Sequence, residues 1–362
     1  MRAAGDHVDP QQLGCCGGGR VDDADAVDGV DEACDALVGS LAESEHAMTD
    51  AAMSSAASPR RIELFRVPAI VIWWGVRRGD GMRGDDLTGR VALVAGAVRK
   101  PGIGRATILR LAEMGAAVVC ADSVANENEI DPRGDTIKVS ANELRAVVAE
   151  VEALGGRAVA VNLDQSDRES IDNAVRRSVM EFGRLDILCH LGGGTSPERD
   201  RPVMELTDEA WNETVALIIT SVFLLNRAAA RQMITQGGGG AIVNLGSFAG
   251  VRLADGPPAF SALKAGAEAF TKMLARELAP HRIRVNMVHP LGVDAGDGVK
   301  NPGLARAAEK AGRSVDQWMR DMIPFGRFQR ADETAAVIAF LCSDAASFTS
   351  GQAISVAGGA TP

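Results

Sequence analysis

The segment from Val91 to Met114 limits the possible folds more than any other part of the chain. Val91-Ala-Leu-Val94 is a short apolar strand, and it runs into Gly96-Ala-Val-Arg-Lys-Pro-Gly102-Ile103-Gly104. From Arg105 to Met114 the pattern is helical. A glycine-rich turn alone is more often only a turn. Between a strand and a helix it is a dinucleotide site: the glycines let the backbone approach a pyrophosphate, and the helix start offers free N–H groups and the positive end of its dipole. Gly96, Gly102, Ile103 and Gly104 are therefore candidate cofactor contacts.

Short apolar strands then alternate with helical segments to Val356. A helix is expected over Ala141–Leu154 before a strand at Ala158–Val161, and another over Arg168–Phe182 before Asp186–Cys189. Such alternation predicts an α/β fold, a doubly wound parallel sheet of the Rossmann-like kind, in a single domain over 82–362. Ligands then bind at the carboxyl ends of the strands. The apolar strand Ala117–Asp122 ends in an acid. There it can hold both ribose hydroxyls and repel a 2′-phosphate, which favours NAD over NADP; capping of the next loop is the plainer alternative. Asp164, after the strand Ala158–Val161, is a candidate cofactor contact by its position, against a solvated loop acid. Ser123 to Val139 forms a long polar connection at the adenosine end.

With 362 residues and 46% apolar content the chain can bury a large core. A net charge of −10 argues against a nucleic-acid partner, which needs a clustered basic face. The six cysteines have no CxxC or zinc spacing and are expected to be reduced, as in a cytoplasmic protein. His190 beside Cys189 is no metal pair, because neighbours on a strand point to opposite faces. Gly237–Gly240 reads as a mobile turn. Residues 1–81 lack any sustained period and are expected to be a disordered extension. Within them Val67–Val76 is apolar, but too short to span a bilayer.

Further on, Ser247-Phe-Ala-Gly is followed by Ala259-Phe260-Ser-Ala-Leu-Lys264. This spacing resembles the short-chain dehydrogenase/reductase family, in which a Ser is followed by Tyr and, four residues later, by Lys. The likeness extends over Leu87–Pro362. It implies catalytic places at Ser247, Phe260 and Lys264, with Phe260 where the family has its proton-donating Tyr, in a chain that has no Tyr at all. Lys264 and Pro290 also fall at cofactor positions. The family's Asn-Asn-Ala-Gly is here His190-Leu191-Gly192-Gly193, which keeps the backbone turn at Gly192 and Gly193 and loses both amides. Counting along the helix near Trp211 puts Ile218 where the family has an Asn of the proton relay. The glycine loop has five residues between its first two glycines instead of three, which bears on whether Arg99 or Lys100 meets a phosphate.

The resemblance implies three alternatives. One is an NAD-dependent oxidoreductase for a hydrophobic alcohol or ketone, working from a degenerate site; the others are a catalytically silent subunit of a mixed oligomer and a cofactor-sensing regulator. The substrate would be lined by Thr195–Arg201 and Gly292–Trp318. Val288-His-Pro290-Leu-Gly292-Val and the long second loop are similar to a carveol-dehydrogenase-like branch. Homo-oligomers or pairing with a related subunit across Phe260–Leu278 are expected. Family members begin near Thr88-Gly-Arg-Val, which favours a translational start at Met82 over membrane contact or partner docking by Trp73 and Trp74.

Overall fold

Seven strands, β1 (Val91–Ala95), β2 (Ala117–Asp122), β3 (Arg157–Asn162), β4 (Ile187–His190), β5 (Gly240–Leu245), β6 (Ile283–Pro290) and β7 (Ala353–Val356), form one sheet in this computed structural model. Their order is β3-β2-β1-β4-β5-β6-β7, with every neighbouring pair parallel. The structure describes residues 84–96, 102–124, 140–252, 257–294, 308–309 and 311–361. The expectations for residues 1–81, for Arg99 and Lys100, and for most of the second connection lie outside the described residues.

Helices α1 (Ile103–Glu113), α2 (Ala141–Ala153), α3 (Arg168–Phe182), α4 (Asp208–Val215), α5 (Ser221–Gln236), α6 (Pro258–Leu278), α7 (Val315–Met322) and α8 (Ala331–Cys342) connect and cover the strands. Alternate strand residues face opposite sides. Val94, Val118, Ile187, Cys189 and Val243 pack with α1, α2 and α8, whereas Leu93, Val119, Leu188, Ile242 and Val285 pack with α3, α5 and α6. Central β1 and β2 are buried throughout, as expected for strands covered on both faces. Each such Val or Leu contributes about 1.5–3 kcal/mol by leaving water.

Local chemistry sets the helix ends. Ser140 and Glu143 form a capping box on α2, Asp167 caps α3 through the Glu169 and Ser170 amides, and Gly183 closes α3 in the left-handed region. The helix expected near Trp211 starts at Asp208 and is interrupted by a π-helical turn, Ala216–Thr220, before α5 continues it. Asp208–Gln236 includes an 18-residue stretch of mean hydropathy 1.4, half of it buried. Leu225, Ala229 and Met233 account for this by packing under the sheet, the behaviour of a core helix.

The expected thiols Cys120, Cys189 and Cys342 are buried and unlinked, with 3.6 Å between the Cys189 and Cys342 sulfurs. Among the described residues no cluster has the makings of a metal site. The Gly237–Gly240 run is open at Gly237 and closely packed at its end. A Cβ at Gly239 would lie 2.6 Å from the Arg282 carbonyl oxygen, and one at Gly240 2.5 Å from Met233 Sδ, so these glycines permit tight packing under the sheet.

Candidate active site

The order in which strands are added reverses between β1 and β4, so the carboxyl ends of these two strands open a crevice. Gly96 follows β1 there with φ +83°, and a Cβ on it would lie 2.6 Å from the Gly192 nitrogen beyond β4. A side chain is excluded twice, by conformation and by space. Gly102 caps α1 without a side-chain bond, and the first turn, which includes Ile103 and Gly104, holds no acid. This helix end suits an anion. Buried Asp122 closes β2, with its Oδ1 accepting from the Ser123 N–H at 2.9 Å. Exposed Asp164 is partly committed to its own turn: Oδ1 accepts from the Ser166 amide and hydroxyl at 2.8 and 2.6 Å.

His190 is fully buried and hydrogen bonded, to Gln165 Oε1 at 3.0 Å and Ser221 Oγ at 3.3 Å. Burial, with Lys264 as a second cause, holds the imidazole down to about 3, hence neutral. Gln165 was not foreseen from the sequence. Its amide fills the space where a Cβ on Gly192 would fall, within 2.1 Å, and so forms the floor of the turn. Gly193 has φ +89°; a Cβ there would stand 3.1 Å from the Leu217 carbonyl, 3.5 Å from Ile218 and 3.7 Å from Lys264 Nζ. Ile218, in the π-helical turn, therefore packs directly behind the glycine turn.

On the far side of the crevice lies a cavity of about 300 Å³. Ile103, Gly193, Ser247, Phe260, Lys264 and Pro290 line it, together with Thr195, Asp200, Phe248, Trp318 and Met322. Both loops expected around the substrate thus contribute. Gly96, Gly102, Gly104, Asp122, Asp164 and Gly192 lie outside the cavity lining. Lys264 is 3% exposed and donates to the Leu245 carbonyl at 2.8 Å; its Nζ stands 5.7 Å from the centre of the Phe260 ring. Burial pushes its ammonium down to about 8. Ser247 Oγ accepts from the Ala249 N–H at 3.2 Å, which leaves the hydroxyl proton to donate elsewhere. The displaced Gly292 has φ +59°, and Leu291 before it packs with Phe248, Met319 and Ile323.

Several polar groups here escaped the sequence reading. Asn226 and Asn244 exchange two amide bonds at 2.8 and 3.0 Å, with Thr271 as a third partner at 3.1 Å, and tie α5, β5 and α6 together below the cavity. His289 accepts from the Ser247 N–H at 3.0 Å and meets Glu268 at 2.9 Å. A His closing an apolar strand was the available signal for it. A larger hollow, about 480 Å³, sits at the amino ends of the strands among Arg90, Asp186 and Arg284. Its charges are satisfied internally: Arg284 donates to the Leu341 and Ser343 carbonyls, and Asp186 accepts from Arg184. It is also at the wrong end of a parallel sheet for a ligand site.

Residues 96–361 match the family profile described as Enoyl-(Acyl carrier protein) reductase. The chain is 33% identical over 273 residues to a 3-oxoacyl-(acyl-carrier-protein) reductase of Thermotoga maritima, a match of 75% of this chain and 98% of the relative. It is 36% identical over 285 residues to the cyclohexanol dehydrogenase of a Rhodococcus species, covering 76% and 97%. Solved short-chain dehydrogenase/reductases share the fold. Among them the carveol dehydrogenase of Mycobacterium avium in complex with NAD aligns over 76% of this chain and 98% of its own, at TM-score 0.67 and 26% identity. The glycine crevice at the β1/β4 switch, the buried lysine and these relatives together place the chain in the short-chain dehydrogenase/reductase family of oxidoreductases.

Proposed function

We propose that the chain is an NAD-dependent oxidoreductase that interconverts a hydrophobic, cyclic alcohol and its ketone from a site in which Phe260 takes the place of a hydroxyl acid. The observation that carries this reading is Lys264. An ammonium that is 3% exposed, with a backbone carbonyl and an aromatic face as partners, is costly to keep, and it faces the same cavity as Ser247. The crevice fits a dinucleotide by its own geometry: Gly96 and Gly192 leave no room for side chains, and the start of α1 carries neither acid nor side-chain cap.

Within the site, the Ser247 hydroxyl donates a hydrogen bond to the substrate oxygen, and Phe260, Phe248, Trp318 and Met322 supply an apolar wall for a ring. Lys264 would hold the ribose of a bound dinucleotide and, at about 8, can exchange a proton near neutral pH. When bound, the nicotinamide accepts or donates the hydride. Asp122 supports NAD over NADP by its charge at the end of β2, and the NAD complex of the carveol dehydrogenase points the same way. Among the described residues the thiols are unlinked, consistent with a reducing cytoplasm, and half-exposed Phe223 on α5 edges onto Phe270 of α6, a face suited to pairing with a like subunit.

The second reading, a nucleotide-binding subunit without turnover, rests on Phe260 and Ile218. Replacing Phe260 by Tyr separates the two. Loss of one general acid typically lowers rate by about 10²–10⁴, so in a site otherwise intact Phe260→Tyr raises oxidation of cyclohexanol and carveol with NAD about 100-fold or more. Measured side by side with NAD and NADP, activity in the mutant alone supports the silent subunit. Comparable activity in both supports chemistry that does not depend on a Tyr. No activity in either overturns the oxidoreductase reading.

A further inference from the structure

β6 ends in Val288-His289-Pro290, and its register with β5 sets Val288 opposite Leu245. The imidazole of His289 therefore lies over Gly246, where a Cβ would fall 2.2 Å from Nδ1; only glycine leaves room for the ring. His289 is 1% exposed. Its Nδ1 accepts from the Ser247 N–H at 3.0 Å, so in the neutral ring the proton resides on Nε2, which donates to Glu268 Oε2 at 2.9 Å. Glu268 lies one turn beyond Lys264 on α6 and also accepts from Lys272 at 2.5 Å. An unbroken line of hydrogen bonds thus runs from the surface through Glu268 and His289 to the backbone of Ser247.

We propose that His289 and Glu268 are positioning residues for Ser247, and that protonation of His289 switches the site off by turning the acceptor that holds the Ser247 amide into a donor. The inference rests on the reading of Ser247 as the group that holds the substrate oxygen. In the neutral state the imidazole fixes the entry to the 3-10 turn Phe248–Gly250, on which the Ser247 side chain is itself a cap. In the imidazolium, Nδ1–H faces N–H; the bond is lost, and Ser247 is freed to rotate away from the cavity. The groups facing His289 are Glu268 and Lys264 from α6 and the Ser247 backbone; Lys272 lies behind Glu268, and β7 presents Ser355 in register. Burial lowers the imidazole's proton affinity, Glu268 opposes this, and Lys264 adds to it. The acid limb consequently lies below the ordinary imidazole value, with activity falling about tenfold per pH unit beneath it, well apart from any change near pH 8 where Lys264 titrates.

The test compares pH profiles of kcat and KM for cyclic-alcohol oxidation in the full chain and three variants. His289→Leu removes the acceptor and lowers kcat about 10–100-fold at pH above the acid limb, a gap that closes below it, with the KM for NAD moved less than threefold. His289→Asn places Oδ1 near the Nδ1 position without a titrating ring; it recovers most of that loss and removes the acid limb. Glu268→Gln keeps an acceptor for Nε2–H but takes away the charge, and so shifts the limb to lower pH. An Asn variant as impaired as Leu, or one with the wild-type limb, overturns the proposal. Should no substrate turn over, the Ser247 amide resonance in ¹⁵N-labelled protein decides: it titrates with His289 if the switch exists, and an amide that does not respond overturns it.

Discussion

Lys264 sets a conflict between stability and function within one residue. Its ammonium is held down to about 8 by burial, against an ordinary value of 10.5. Below pH 8 the folded chain must keep a buried charge that the unfolded chain carries in water, which costs about 3 kcal/mol; the penalty fades as pH rises from 8 to 10.5. Lys264→Met should therefore stabilise the fold by about 1–3 kcal/mol at pH 7, even though the Leu245 carbonyl loses its donor, and it should abolish turnover. Thermal melts at pH 7 and pH 10 check this: the gain should shrink at the higher pH, and a lower melting temperature at pH 7 would contradict it. Lys264 and Phe260 were legible through the family resemblance that their spacing from Ser247 carries. The depth of the lysine's burial was not, since it depends on β5 and on the glycine turn after β4.

At the scale of elements, strand–turn–helix units follow from local pattern. The helix over Arg168–Phe182 was read to the residue, and strands β1 to β4 to within one position at each end. The role of Gly96 was read less fully. It was taken as an approach to phosphate, and it is also where β1's exit packs on β4's exit. Gly96→Ala must hold a residue with a side chain at φ +83° and displace the Gly192 backbone, which should cost about 2–4 kcal/mol and weaken NADH binding at least tenfold. Denaturant unfolding and fluorescence titration with NADH measure the two effects; an Ala variant with native stability would show that the turn is softer than its packing implies. The π-helical turn at Ala216–Thr220 had no sequence signal, because a run of Ala, Leu, Ile and Thr is equally at home in a regular helix.

For the whole molecule, the sheet runs from Val91 to Val356, and Leu87 and the Gly84 carbonyl, which accepts from the Ala345 N–H, already belong to the packed body. Deleting residues 1–81 should thus leave NADH binding intact and move the thermal midpoint by no more than about 3 °C, the scale of 1 kcal/mol for a domain of this size. A larger drop would reveal packing of the Val67–Val76 segment on the domain. The sequence by itself determined the class of fold, the parallel sheet and the glycine turn after β1, because hydrophobic period, glycine turns and helix starts are local properties. Only the tertiary structure decided what surrounds them. Gln165 reaches His190 across 25 positions, His289 holds Ser247 across 42, and Cys189 meets Cys342 across 153. Such contacts depend on strand order and register, which a single chain's local pattern does not encode.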